Sequence, residues 1–290
     1  MPLIFLLLWS SGYLFSEMGL EDNNPISFLM LRLLFACLIM GTILLCQRRT
    51  FSLTGKQIAQ MSIIGIFIQG FYPFFSFSAL YKGISPGVIA IVLGTQPIIT
   101  ALILREQMSF SRITGLILGI IGLTLTVSNV LFVGSNSVLG IFCCFLSLFG
   151  ITVGTILQKK YGLTQSLTLN LFIQYLASFL FIFVLYLSQE NKVIQWSEHF
   201  IVALGWMVLV VSIISTLLFN YLLKSRIIVN FTSYLYCVPP VTALMDYLVY
   251  HHTLSQTSLI GMIMVILGLV LILKNSHNKQ VEQSSERSTA

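Results

Sequence analysis

Ten apolar stretches, each long enough to cross a bilayer, follow one another with little chain between them. They run roughly over 2–20, 25–46, 57–81, 85–104, 113–132, 138–158, 165–188, 200–222, 228–250 and 256–274. A helix needs about 20 mostly apolar residues to span the hydrocarbon core. The expected fold is therefore an all-α integral membrane protein with ten transmembrane helices. Composition agrees. Only 8% of the 290 residues are charged and 57% are hydrophobic, against roughly 25% charged in soluble domains. So few charges cannot cover a water-facing surface of this size. The loops are too short for a folded soluble domain, and the polar tail 275–290 has the composition of a disordered cytoplasmic segment. The first stretch lacks a basic leader and a small-residue cleavage site, so it reads as a retained helix rather than a signal peptide.

The net charge of +6 would suggest nucleic acid as a partner if the charges formed a patch, but they do not. With the N-terminus in the cytoplasm, twelve of the fifteen Lys and Arg residues fall on the cytoplasmic side, Lys82 and Lys192 fall outside, and Arg32 lies within a span. That is the positive-inside pattern. It orients a multi-pass protein with both termini cytoplasmic and leaves no nucleic-acid surface. The five cysteines lie in or at the ends of spans without metal-ligand spacing, and read as packing residues.

A repeat organises the spans. The stretch LYKGISPGVIAIVLGTQPIITALILREQMSFSRITGLILGIIGL, 80–123, has a weak echo in LKSRIIVNFTSYLYCVPPVTALMDYLVYHHTLSQTSLIGMIMVILGL, 223–269. Both run apolar helix, Pro, Thr-Ala-Leu, a short polar break, and a glycine-bearing helix ending in Gly-Leu. Residues 1–134 form a first five-helix repeat and 135–274 a second. Five is odd, so the second half starts from the opposite side and the repeat is inverted. Inverted repeats place a shared site near the midplane and expose it to each side in turn by rocking.

The opening WSSGYLFSEMGLEDNNPISFLMLRLLFACL and the string Gln96-Pro97, Thr100-Ala101-Leu102, Arg105-Glu106, Gly115, Gly119, Gly122 resemble the EamA branch of the drug/metabolite transporter superfamily. The resemblance covers nearly the whole chain. It implies ten helices with both termini inside, and a central cavity lined mainly by helices 1, 3, 4, 6, 8 and 9. It also implies efflux of amino acids or other small metabolites across a bacterial inner membrane. The chain departs from the pattern at Glu17, where such openings often carry Lys, and at His252, where Glu is usual. The first departure weakens any carry-over of an anionic substrate.

Ionisable groups inside a span are costly and mark functional positions. Glu17, Arg32 and Asp246 are the clear cases. Glu17 and Arg32 flank one short loop, so they either pair or leave Glu17 to face the cavity and bind a cation or a proton. Asp246 sits about one turn from the end of the ninth span, with only His251-His252 nearby in sequence. It is a candidate proton carrier, or else a carboxylate in the wet interfacial zone. Adjacent histidines point about 100° apart on a helix, the wrong spacing to chelate one metal. Neither metal nor cofactor is expected.

The aromatic and amide residues near mid-span form the candidate substrate-binding set: Trp9, Tyr13, Gln69, Tyr72, Gln96, Tyr234 and Tyr236. Trp9, Tyr13 and Glu17 share one helix face. Aromatic faces with a few amides suit a zwitterionic or flat organic solute. The Gly115/Gly119 and Gly150/Gly154 spacings allow close helix approach, within a monomer or in a weak homodimer. No Walker loop or Gly-x-Ser-x-Gly sequence is present, which argues against ATP-driven transport by this chain alone and against a serine hydrolase.

These residues point to a secondary transporter exporting small metabolites, most simply amino acids or related zwitterions, with Glu17, Arg32 and Asp246 in coupling or gating. Organic-cation, multidrug or polyamine efflux is the alternative within transport. A non-transporting membrane scaffold is the alternative outside it.

Overall fold

The computed structural model describes residues 2–47, 53–103, 110–131, 135–162, 166–190, 192–218 and 237–271. These residues are helical throughout, with no strand among them. In chain order the helices are α1 (Pro2–Leu20), α2 (Pro25–Cys46), α3 (Gly55–Tyr81), α4 in two pieces (Pro86–Gly94 and Gln96–Ile103), α5 (Phe110–Leu131), α6 (Ser135–Tyr161), α7 (Leu167–Leu187), α8 (Glu198–Leu218), α9 (Val238–Tyr250) and α10 (Gln256–Leu271). Six of these meet both the length and the hydropathy needed to cross a bilayer; α4, α5 and α10 contribute shorter apolar segments. The start of the ninth predicted span, with Tyr234 and Tyr236, lies outside the described residues, as does the tail 275–290.

The helix starts follow from local chemistry. Asn24 accepts the Ser27 N–H at 2.8 Å and Pro25 occupies the first turn of α2, where its missing donor costs nothing. Thr54 and Gln57 form a reciprocal capping box at α3. Ser166 and Ser197 cap α7 and α8. Pro97 has no N–H and disfavours helical geometry just before it, and α4 breaks at Thr95.

The exterior is as apolar as the core, unlike that of a soluble protein. Large apolar side chains such as Leu38, Ile120, Val184 and Leu248 face outward, while Ser10, Ser178, Gln174, Asn170 and Thr242 are buried. A lipid-facing exterior accounts for this distribution.

The two halves interleave. α2 packs along α7, α3 along α6 and α7, and α1 along α8 and α9. The first piece of α4 packs along α9. A Cβ added at Gly94, just before the break in α4, would lie 2.8 Å from Pro239 Cγ, so the break in α4 packs against the first turn of α9. Gly122 of α5 lies against Gly261 of α10, and Gly268 against Gly115 and Gly119. Gly150 and Gly154 of α6 lie against Phe71 and Ile68 of α3. Both small-residue spacings are therefore used within the chain.

Among the described residues, two segments depart from ordinary helix geometry. Ile66–Phe71 in α3 and Met207–Ser215 in α8 are π-helical. These helices are the third of each half. Pro73 stands two residues after the end of the first segment. A proline cannot bond to the carbonyl four residues back and clashes with it, and the wider turn accommodates that clash. Such turns free backbone carbonyls, which then need partners. The Ser212 carbonyl accepts the Tyr175 hydroxyl at 2.6 Å, and the Tyr72 carbonyl accepts the Ser147 hydroxyl at 2.9 Å.

Candidate functional site

A cavity opens where α1, α3, α6 and α8 converge. Its walls include Trp9 and Tyr13 from α1, Gln69 and Tyr72 from α3, Ile151 from α6, and Met207 and Val211 from α8. Four of the seven residues expected to bind substrate therefore meet at one place. Both π-helical segments contribute lining residues, Ile68 and Gln69 from one, Met207 and Val211 from the other. The cavity is narrow, about 70 Å³, room for a few waters. The halves close tightly around it.

Arg32 also lines this cavity. It is 7% exposed, its Nε donates to Ser212 Oγ at 2.9 Å, and its guanidinium lies 5.9 Å from the centre of the Phe77 ring. Of the two alternatives for Glu17, the pair with Arg32 does not form. Arg32 turns toward α8, and Glu17 is held from another direction. No amino-acid spacing could have signalled this, because Ser212 is 180 residues away.

Gln96 is placed differently from expectation. Its Nε2 donates to Thr155 Oγ1 at 2.7 Å, tying α4 to α6, and it does not line the cavity. Tyr234 and Tyr236 lie outside the described residues.

A second constellation sits at the end of the bundle where α1 and α9 finish and α4 begins. Asp246 is 1% exposed; its Oδ2 accepts the Gly87 N–H at 3.1 Å, and its Oδ1 lies 3.0 Å from His252 Nδ1. The same His252 nitrogen is 3.9 Å from Glu17 Oε1. Tyr250 stacks on the His252 ring at 5.7 Å and donates its hydroxyl to the Leu14 carbonyl of α1. His251 makes the arrangement possible. Its φ of +56° is left-handed, ending α9 and folding His252 back onto Asp246. The spacing of the adjacent histidines spoke only against their chelating one metal together and did not show that His252 bridges the two carboxylates. The signal available was only a His-His pair just after an apolar helix.

Glu17, Asp246 and His252 offer ligand atoms within 4.8 Å of one another. They join α1 to α9 and, through Gly87, to α4. Ser85, Gly83 and Thr253 line the open vestibule above them. Chemically the cluster can hold a proton or a cation between two carboxylates and an imidazole.

A sequence profile of the EamA-like transporter family matches residues 1–128 and again 138–274. The chain belongs to that family. This EamA-like chain is 23% identical over 273 residues to the uncharacterized transporter YvbV of Bacillus subtilis (strain 168), an alignment covering 92% of this chain and 88% of the relative. A solved crystal structure of a protein 15% identical superimposes with a TM-score of 0.65, covering 93% of this chain and 95% of the other. That likeness is one of fold. The EamA-like chain is a two-repeat, multi-span membrane protein of a transporter family. The cavity lies between elements of the two matched segments, α1 and α3 from the first and α6 and α8 from the second.

Proposed function

We propose that this protein is a secondary transporter that exports small metabolites, amino acids or related zwitterions, by alternating access. The observation that carries the reading is the cavity shared by both matched segments, with Trp9, Tyr13, Gln69 and Tyr72 in its wall and Arg32 beside them. Aromatic faces and one amide suit a small amphipathic solute.

The proposed cycle uses an inverted relation between the halves, and the packing of the break in α4 against Pro239 at the start of α9 supports it. The distribution of Lys and Arg supports a cytoplasmic N-terminus, and with that orientation the Glu17–His252–Asp246 cluster lies at the outer end. There it acts as the outer gate. Closed, it ties α1, α4 and α9 together; opening requires the cluster to come apart. A proton or cation entering the vestibule competes for the same carboxylates, which couples ion movement to gate opening.

Counterflow in proteoliposomes tests the reading. Vesicles preloaded with an unlabelled solute are given the labelled one outside, across a panel of amino acids, polyamines and lipophilic cations. Exchange of amino acids supports the proposal. Exchange confined to polyamines or lipophilic cations transfers it to organic-cation efflux, the reading that Glu17 at the gate would favour. No exchange by any solute would sink the transporter reading.

A further inference from the structure

Among the described residues, Arg32 is the charged side chain in the cavity wall with no opposite charge within reach. Glu17 and Asp246 share His252. Arg32 has no carboxylate within ion-pair distance among the described residues, although it is 93% buried at membrane depth. A guanidinium stays charged in any setting a protein offers, and a buried charge left unpaired is strongly disfavoured.

The geometry shows which part of Arg32 is unanswered. Nε is committed to Ser212 Oγ. Ser212 is itself fixed, since its carbonyl takes the Tyr175 hydroxyl. The Phe77 ring supports the guanidinium from another side. The group is therefore aimed and braced, and its two terminal nitrogens have no hydrogen-bond partner among the described residues. These nitrogens form the parallel pair of donors that matches the two oxygens of a carboxylate. Tyr13, Tyr72 and Gln69 line the same space and offer neutral donors and aromatic faces.

We propose that Arg32 is the carboxylate subsite of the cavity, so that the transported solute carries a carboxylate docked end-on against its terminal nitrogens. The proposal rests on the transporter reading above and narrows it. A zwitterion or an organic acid satisfies Arg32; a polyamine or a lipophilic cation would place like charge beside it. The substrate's carboxylate would also supply the counter-charge that the protein withholds, so Arg32 is best satisfied when the cavity is loaded.

The test compares acids with their uncharged relatives on the purified, full-length protein. Amino acids and monocarboxylic acids are screened by ligand-induced thermal shift. For each compound that raises Tm, its primary amide and its decarboxylated amine are measured too, and the same compounds are run in counterflow. Acids are expected to bind at least about tenfold tighter than their amides, from loss of a charge-assisted bidentate pair. Arg32→Lys, which keeps the charge and loses the fork, is expected to weaken acid binding by about tenfold. Arg32→Gln should abolish acid binding while the protein still elutes as a monodisperse peak in size exclusion. If Arg32→Gln does not fold, the acid–amide comparison on the unaltered protein still decides. Amides binding as well as acids, or exchange of amines alone, overturns the carboxylate subsite while leaving a transporter. Absence of binding and exchange for every compound removes the transporter reading itself, and the subsite with it.

Discussion

The carboxylate of Asp246, on α9, accepts the backbone N–H of Gly87 in the first turn of α4 at 3.1 Å. Ser85 stands at the capping position of α4 and makes no side-chain cap bond. The capping group comes from the other half of the chain. A negative charge at a helix N-terminus is favoured by the aligned backbone dipoles and free N–H groups. Gly87 permits the approach: a Cβ there would lie 3.2 Å from Oδ2 and 3.3 Å from the Ala243 Cα. One carboxylate thus holds the start of α4 with one oxygen and His252 with the other.

Asp246→Asn and Asp246→Ala are expected to separate these roles. Asn keeps an acceptor for Gly87 and loses the charge. It should abolish transport driven by a pH gradient while leaving counterflow largely intact, and an unchanged gradient response would remove Asp246 from coupling. Ala loses the cap as well and should lower stability by about 1–2 kcal/mol relative to Asn, read from Tm in detergent.

His251 holds a left-handed backbone at φ +56°, a conformation that costs an ordinary residue about 1–2 kcal/mol. His251→Gly removes that cost at the end of α9, where glycine is the usual residue. The expected outcome is a Tm no lower than that of the parent, with gradient-driven transport retained because His252 still reaches Asp246. A large loss of stability would show that the His251 side chain matters more than its backbone.

Gly122 and Gly261 face each other so closely that a Cβ at Gly122 would sit 2.5 Å from the Gly261 carbonyl oxygen, and one at Gly261 would sit 2.5 Å from that of Gly122. Backbone cannot move aside as a flexible side chain can. Either glycine changed to Ala should lower stability by about 1–3 kcal/mol. Gly205 is the control, because a Cβ there meets nothing within 4 Å. Gly205→Ala should leave Tm unchanged or raised, and thermal melts of the three variants side by side check the contrast.

Gln96→Ala removes the bond to Thr155 and leaves the cavity wall unchanged. Stability should fall by roughly 1 kcal/mol, with KM for counterflow close to that of the parent. A rise in KM of about tenfold or more, beyond what a packing change remote from the solute produces, would return Gln96 to the solute-binding set.

The sequence disclosed the helical membrane fold and the repeat because these depend on local composition and parity. It also disclosed the shared face of Trp9 and Tyr13, which one helix determines by itself. Gln69 and Tyr72, which line the cavity, stood out in the sequence because mid-span polar residues are few. Partnerships were a different matter. Glu17 and Arg32 are near in sequence and opposite in charge, yet Glu17 meets His252 and Arg32 meets Ser212. Those choices depend on how α8 and α9 lie against α1 and α2, which no local pattern encodes. The partner of Gln96 was hidden for the same reason: the direction of its side chain follows from the break at Thr95 and from where α6 offers Thr155.

The π-helical segments of α3 and α8 have a mechanical consequence. A π turn stores about one residue more than an α turn. Converting it to α geometry therefore twists the helix on one side of it by about 100° relative to the other. α3 and α8 each carry such slack where they line the cavity, and α7, with 21 residues in regular α form, carries none. Deleting one residue inside Ile66–Phe71 should still yield monodisperse protein, whereas the same deletion in mid-α7 should not. The walls around the solute can thus swivel about their own axes without any helix leaving its neighbours.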